Sequence, residues 1–264
     1  MTDAGELVLD DLDALLGERT RIVGVTQVSN VLGPVNPAMD GDRFRCVVTD
    51  ASGSTTTRSA VLTVRVPAGS TYLLQAPTGI ALDSAGDLLV ADRGRHTINR
   101  ITPTGTFSPL AGTADTNGYL DATGTAALFD QPFGVACTAS NDLYVTDSAN
   151  AVIRKINVGT IASTYAGAAD ATGTADGEAT TARFAVPTGL ALDAAGTLFC
   201  TDAFSDTIRR LGAGGAVSTL AGSASANGSA DGPGATARFN YPNGIAIDGT
   251  EAYVADTDNH TIRR

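Results

Sequence analysis

Residues 76–264 repeat themselves every 55 residues. The phrase Pro-x-Gly-apolar-Ala recurs with prolines at 77, 132, 187 and 242, and Gly79, Gly134, Gly189 and Gly244 follow in phase. Apolar-Asp steps come next at Asp92, Asp147 and Asp202, with Asp256 one residue early because the fourth unit has a deletion. Ile98, Ile153, Ile208 and Ile262 then precede basic or amide residues, and Ala111-Gly112, Ala166-Gly167 and Ala221-Gly222 close the units. A unit of this length cannot bury its own faces and gains a core only by stacking on its neighbours. Within the third unit the pattern predicts strands at 189–193, 197–201, 207–211 and 216–220, separated by turns such as Ala194-Ala195-Gly196. Four short antiparallel strands per unit make a propeller blade, with the small, glycine-started strand nearest the crowded axis.

The last unit spells Pro242-Asn-Gly-Ile-Ala-Ile-Asp248, then Tyr253-Val-Ala-Asp256-Thr-Asp-Asn259-His260-Thr-Ile262-Arg-Arg264. This resembles the NHL repeat, and the resemblance covers 76–264, with repeats starting near 76, 131, 186 and 241. It implies an all-β fold, a β-propeller that in this family is commonly six-bladed. The chain departs from that by supplying three complete four-stranded blades and the first three strands of a partial fourth. Ser70-Thr-Tyr-Leu-Leu74 resembles the fourth-strand sequences Ser163-Thr-Tyr-Ala166 and Ser218-Thr-Leu-Ala221, so residues 67–75 are a linker or a closing strand. Two expectations follow: a ring closed at four blades by 70–74, or, favoured here, a fragment whose propeller continues elsewhere. Upstream, Asp42-Arg-Phe44-Arg-Cys46 and Ala60-Val-Leu-Thr-Val64 resemble the last hairpin of an immunoglobulin-like domain, with Phe44 where the tyrosine corner would stand. Residues 20–66 are thus expected to be a partial immunoglobulin-like β segment. Residues 1–19 are read as an N-terminal segment with a short helix drawn over 5–17 on Leu9, Leu12 and Leu16.

Charge narrows the partners. The chain carries 17 basic and 28 acidic residues, a net of −11, and Lys155 is its one lysine. The repeat region contributes −8 of this, from 11 basic and 19 acidic residues in 77–264. No basic stripe suited to a phosphate backbone or an anionic membrane surface is present, so nucleic acid and membrane insertion are not expected. That also opposes RNA binding of the kind some NHL proteins show. Cys46, Cys137 and Cys200 have no metal-ligand spacing and read as buried free thiols. The first residues lack the basic and apolar regions of a secretory signal. An extracellular or cell-surface location is what the resemblance implies.

Catalytic groups are sparse. Zinc in an NHL-type lyase needs histidines, and His96 and His260 both occupy the repeat's own turn. Calcium near the axis would draw on Asp83, Asp193 and Asp248, but the second unit has Thr138 there, and the spacing suggests turn capping. Asp92, Asp147, Asp202 and Asp256, with a base eight positions on (Arg100, Lys155, Arg210, Arg264), read as blade supports. Gly232-Pro-Gly234-Ala-Thr-Ala237 matches a dinucleotide fingerprint but follows no strand, and is set aside. The linkers 113–131, 168–186 and 223–241 are long for blade connections, and long loops on rigid scaffolds carry binding. Their Asp121, Asp176 and Asp231, with Arg183 and Arg238, are the candidate binding residues; the periodic Phe129, Phe184 and Phe239 are expected to pack over the next blade. The reading is a non-enzymatic binding module, without a resident cofactor, whose rim loops engage a protein or carbohydrate partner. The alternative is a calcium- or zinc-dependent lactonase or lyase working in the central channel.

Overall fold

The computed structural model describes residues 74–264, Ser225 excepted, together with the backbone of two strands nearer the N-terminus. Those two, β1 (Arg43–Thr49) and β2 (Thr55–Val61), form an antiparallel hairpin in register from Arg43↔Val61 to Thr49↔Thr55. The second strand starts earlier than the 60–64 expected. Thr55, Thr56 and Thr57 stand consecutively at its start, and branched β-carbons favour extended backbone. The expected helix at 5–17, the rest of the immunoglobulin-like segment, Cys46's side chain and the strand at 70–73 lie outside the described residues.

The repeat region is all-β. Its first blade is β3 (Pro77–Leu82), β4 (Leu88–Asp92), β5 (Thr97–Ile101) and β6 (Phe107–Ala111). The second is β7 (Pro132–Cys137), β8 (Leu143–Asp147), β9 (Val152–Ile156) and β10 (Ala162–Gly167). The third is β11 (Pro187–Leu192), β12 (Leu198–Asp202), β13 (Thr207–Leu211) and β14 (Val217–Gly222). The fourth has β15 (Pro242–Asp248), β16 (Glu251–Asp256) and β17 (Thr261–Arg263). Strands pair in sequence order within each sheet. Each first strand slips register just after its proline, between Pro132 and Val135 for instance, a bulge that sharpens the blade's twist. The deletion in the fourth unit leaves a tight hairpin, with Asp248 opposite Glu251 around Gly249 at φ +61°.

The first strands of successive blades neighbour one another in the order β3, β7, β11, β15. Only glycine permits that approach. A β-carbon on Gly79, Gly134 or Gly189 would overlap the carbonyl oxygen of Phe133, Thr188 or Asn243 on the following strand. Threonine hydroxyls bind the blades together at the same level. Thr146 Oγ1 accepts the Gly134 N–H at 2.6 Å and donates to the Thr188 carbonyl at 2.7 Å, and Thr201 does the same between Gly189 and Asn243. Apolar cores fill the space between blades. Phe129 lies among Ile98, Ala111 and Leu143, Phe184 among Ile153, Leu198 and Leu211, and Phe239 against Ile208 and Val254. Each phenylalanine is at most 5% exposed, so the periodic linker aromatics are the packing plugs they were expected to be.

Candidate functional site: the loop face

Antiparallel strands alternate direction, so a blade's turns fall at two ends. The connections between first and second and between third and fourth strands lie at one end. The turn between second and third strands and the long linker to the next blade lie at the other, here the loop face.

An arginine clasp builds the loop face. Arg154 is fully buried, and its guanidinium donates to Asp147 Oδ2 (2.9 Å), to the Leu120 and Leu128 carbonyls (3.0 Å each) and to Asp121 Oδ1 (2.6 Å). It stacks over the rings of Phe129 and Tyr119. Arg209 repeats this with Asp202, Asp176 and the Ala175 and Arg183 carbonyls, over Phe184. Arg263 repeats it with Asp256, Asp231 and the Ala230 and Arg238 carbonyls, over Phe239. Each arginine therefore ties the linker that enters its blade to the blade itself. The base seven positions after the aspartate carries the clasp, which corrects the expected spacing of eight. Lys155 points to the other face and pairs with Asp142, as Arg100 pairs with Asp87 and Arg264 with Glu251.

The predicted binding residues sit on this clasp. Asp121 also accepts the Thr164 N–H, and Asp176 the Thr219 N–H and hydroxyl. Their side chains keep roughly half their surface open, 47% and 48%, while Asp231 keeps 94%. Burial pulls the Asp176 carboxyl upward, but the Thr219 and Arg209 hydrogen bonds outweigh it and hold it below the usual range. Arg183 and Arg238 fold back onto carbonyls of their own linkers, Thr180 and Ala182 for the first, Ala235 and Ala237 for the second. Beneath them, burial pushes Asp147 up to about 6 against the lowering by its Asn150, Asp130 and Arg154 partners, and burial raises Asp202 too.

The turn between second and third strands supplies the rest of the face. His96, Ala151, Asp206 and His260 all take left-handed backbone, with φ between +55° and +60°. His96 Nδ1 accepts the Gln131 N–H at 3.1 Å, and Asp206 Oδ1 accepts the Tyr241 N–H at 2.9 Å, so this position latches the turn to the following linker's end. At the junction of blades three and four, Phe204 stands 65% exposed, edge-on to Tyr241 with ring centroids 5.6 Å apart. Tyr241 itself is held at φ +55°, a costly conformation for an aromatic residue. The Asp258 N–H donates to the Asn240 carbonyl, which brings an exposed carboxylate beside the pair. The sequence reading missed these rings, although they break the period: Phe204 replaces Gly94 and Ala149, and Tyr241 replaces Gln131 and Val186.

The opposite end carries turn caps. Asp83 Oδ1 accepts the N–H groups of Ala85 and Asp87, Asp193 those of Ala195 and Thr197, and Thr138 Oγ1 that of Asp142. A cleft of about 110 Å³ there, between Asp83, Arg100, Asn141 and Asn157, is well below the size of a small-molecule site. Among the described residues no group of three or more His, Cys, Asp or Glu is placed to hold a metal ion. Cys137 is half-buried and Cys200 buried, and burial raises both thiols.

The NHL repeat family matches residues 74–99 and 239–264, the first and last units. A 37-residue stretch is 70% identical to a cysteine desulfurase of Dickeya dadantii, covering 14% of this chain and 9% of that protein. Among solved structures, a protein of unknown function from Bacteroides thetaiotaomicron superposes with a TM-score of 0.62 at 22% identity, over 83% of this chain and 55% of that one. An auxiliary nutrient binding protein from the same organism superposes with a TM-score of 0.57 at 20% identity, over 71% of this chain and 47% of that one. The chain thus spans about half the length of these structures and under a tenth of that curated relative. At these identities the solved structures show the fold.

Proposed function

With NHL repeats as the premise, we propose that this propeller is a non-enzymatic binding module whose loop face holds a carbohydrate. The Phe204–Tyr241 pair carries the reading. The exposed Phe204 ring and the half-buried Tyr241 beside it offer an apolar platform for the C–H face of a sugar ring, and Asp258 and Asp206 offer acceptors for its hydroxyls. Asp231, with Asp121, Asp176, Arg183 and Arg238 along the linkers, provides further polar contacts on the same face. A rigid clasp beneath these loops lowers the ordering cost of binding. The nutrient-binding name of one fold neighbour supports this reading, and with it a cell-surface or secreted setting. A glycan microarray probed with the wild-type chain and with Phe204→Ala tests it. The expected result is retention of at least one glycan by the wild type and its loss in the variant. No glycan retained, or equal retention by both, would refute the carbohydrate assignment.

A further inference from the structure

The three clasps are alike in what they bind and differ in what covers them. In each, a buried linker phenylalanine lies under the guanidinium: Phe129 under Arg154, Phe184 under Arg209 and Phe239 under Arg263. Arg154 has a second ring as well, Tyr119, whose centroid is 5.0 Å away on the solvent side of the stack. Thr174 and Ser229 stand at that position in the linkers entering blades three and four, and the clasps there form all the same. The clasp therefore does not require Tyr119. Blade two has a neighbouring blade on each side, yet Tyr119 stays 42% exposed. Its hydroxyl shares a hydrogen bond with Thr164 Oγ1, which fixes the ring in place. That bond also changes the carboxylate alongside. Thr219 Oγ1, the counterpart of Thr164 Oγ1, donates to Asp176 Oδ1 at 2.9 Å, whereas Thr164 Oγ1 stands 3.4 Å from Asp121 Oδ1. Asp121, 47% open, thus keeps acceptor capacity that Asp176 gives to its threonine.

We propose that Tyr119 and Asp121 form a second saccharide site, on the linker entering blade two, where the ring packs on the C–H face of a neutral pyranose and the carboxylate accepts one of its hydroxyls. The guanidinium behind the ring already draws on its π-electrons, which disfavours a cation on the open side. An anion would meet the Asp121 charge. Where the linkers entering blades three and four carry Arg183 and Arg238, this one has Leu128, bridged to Leu120, which is 48% exposed. A wholly apolar partner would strip water from Asp121 and return no hydrogen bond. A ligand with an apolar face and hydroxyls at its rim satisfies each of these groups. The site stands on its own residues and not on the Phe204–Tyr241 pair, which lies at the junction of blades three and four.

Tyrosine ring resonances read the two sites separately. The full chain holds six tyrosines, and with their rings isotope-labelled the Tyr119 and Tyr241 signals are identified by their loss in Tyr119→Thr and Tyr241→Gln. Titration with cellohexaose, maltohexaose, xylohexaose and mannohexaose should shift the Tyr119 signal with at least one of them, in the wild type and equally in Phe204→Ala. Tyr119→Thr installs the residue of the next repeat, so it should keep the wild-type thermal midpoint. In that variant the same sugar should act on the Thr164 amide roughly 10-fold more weakly, the loss of one aromatic contact. Shifts at Tyr241 alone would leave the pair at blades three and four standing and overturn the second site. So would no shift at Tyr119 with any of the four sugars, a Tyr119 response lost in Phe204→Ala, or a Tyr119→Thr variant that unfolds or responds like the wild type.

Discussion

At the scale of single residues, one guanidinium satisfies two carboxylates and two carbonyls from segments that sequence separates by about thirty residues. Arg209 is fully buried, so truncating it leaves Asp202 buried without its charged partner, held by the Ala185 and Val186 N–H groups, and takes the side-chain donor from the Arg183 carbonyl. Arg209→Ala should cost about 3–5 kcal/mol, the usual penalty for breaking a buried pair. Asp231→Ala removes an almost fully exposed partner and should cost under about 1 kcal/mol. Urea denaturation midpoints compare the two. The pH dependence has a definite sign at Asp147. Its folded pKa of about 6 lies above the ordinary carboxylate value of 3.8, so between those values the native state binds more protons than the unfolded one. Stability contributed at this site therefore rises as pH falls from 7 toward 4. Relative to Asp147→Asn, the wild type should gain on the order of 1 kcal/mol between pH 7 and pH 5. A constant difference between the two across that range would contradict the assignment.

At the scale of strands and linkers, the close approach of first strands sets the tolerance for side chains. Gly134→Ala forces its new methyl into the Thr188 carbonyl and should destabilise by about 1–3 kcal/mol or more. Phe184→Ala empties an inter-blade core and should cost about 3–5 kcal/mol, while Phe204→Ala, on an exposed ring, should leave the thermal midpoint nearly unchanged. Much of this was readable beforehand. The 55-residue period gave the blades and the burial of the linker phenylalanines, because each is a consequence of stacking identical units. The clasp partner was not readable. Asp147 lies at the end of β8 and Arg154 pairs with Val145 across the hairpin, so residues 145, 147, 152 and 154 share one face while Lys155 turns to the other. That register depends on the turn, and a spacing of seven or eight looks equally regular until the turn is known. Phe204 and Tyr241 were missed for the opposite reason, since attention to what repeats hides the residues that do not. Departures from a repeat's own rules are where function is expected to appear.

For the whole molecule, division of labour between the two ends is the central claim. One end is occupied by capped turns around Asp83, Thr138 and Asp193, and the other presents long loops pinned from below by Arg154, Arg209 and Arg263. Function then depends on which end meets the ligand. Amide hydrogen exchange of the wild-type chain, with and without a glycan retained on the array, reads this directly. Slowed exchange is predicted at 203–206, 240–242 and 257–260. Slowed exchange confined to 83–87, 138–142 and 193–197 would place the ligand at the capped end and contradict the account.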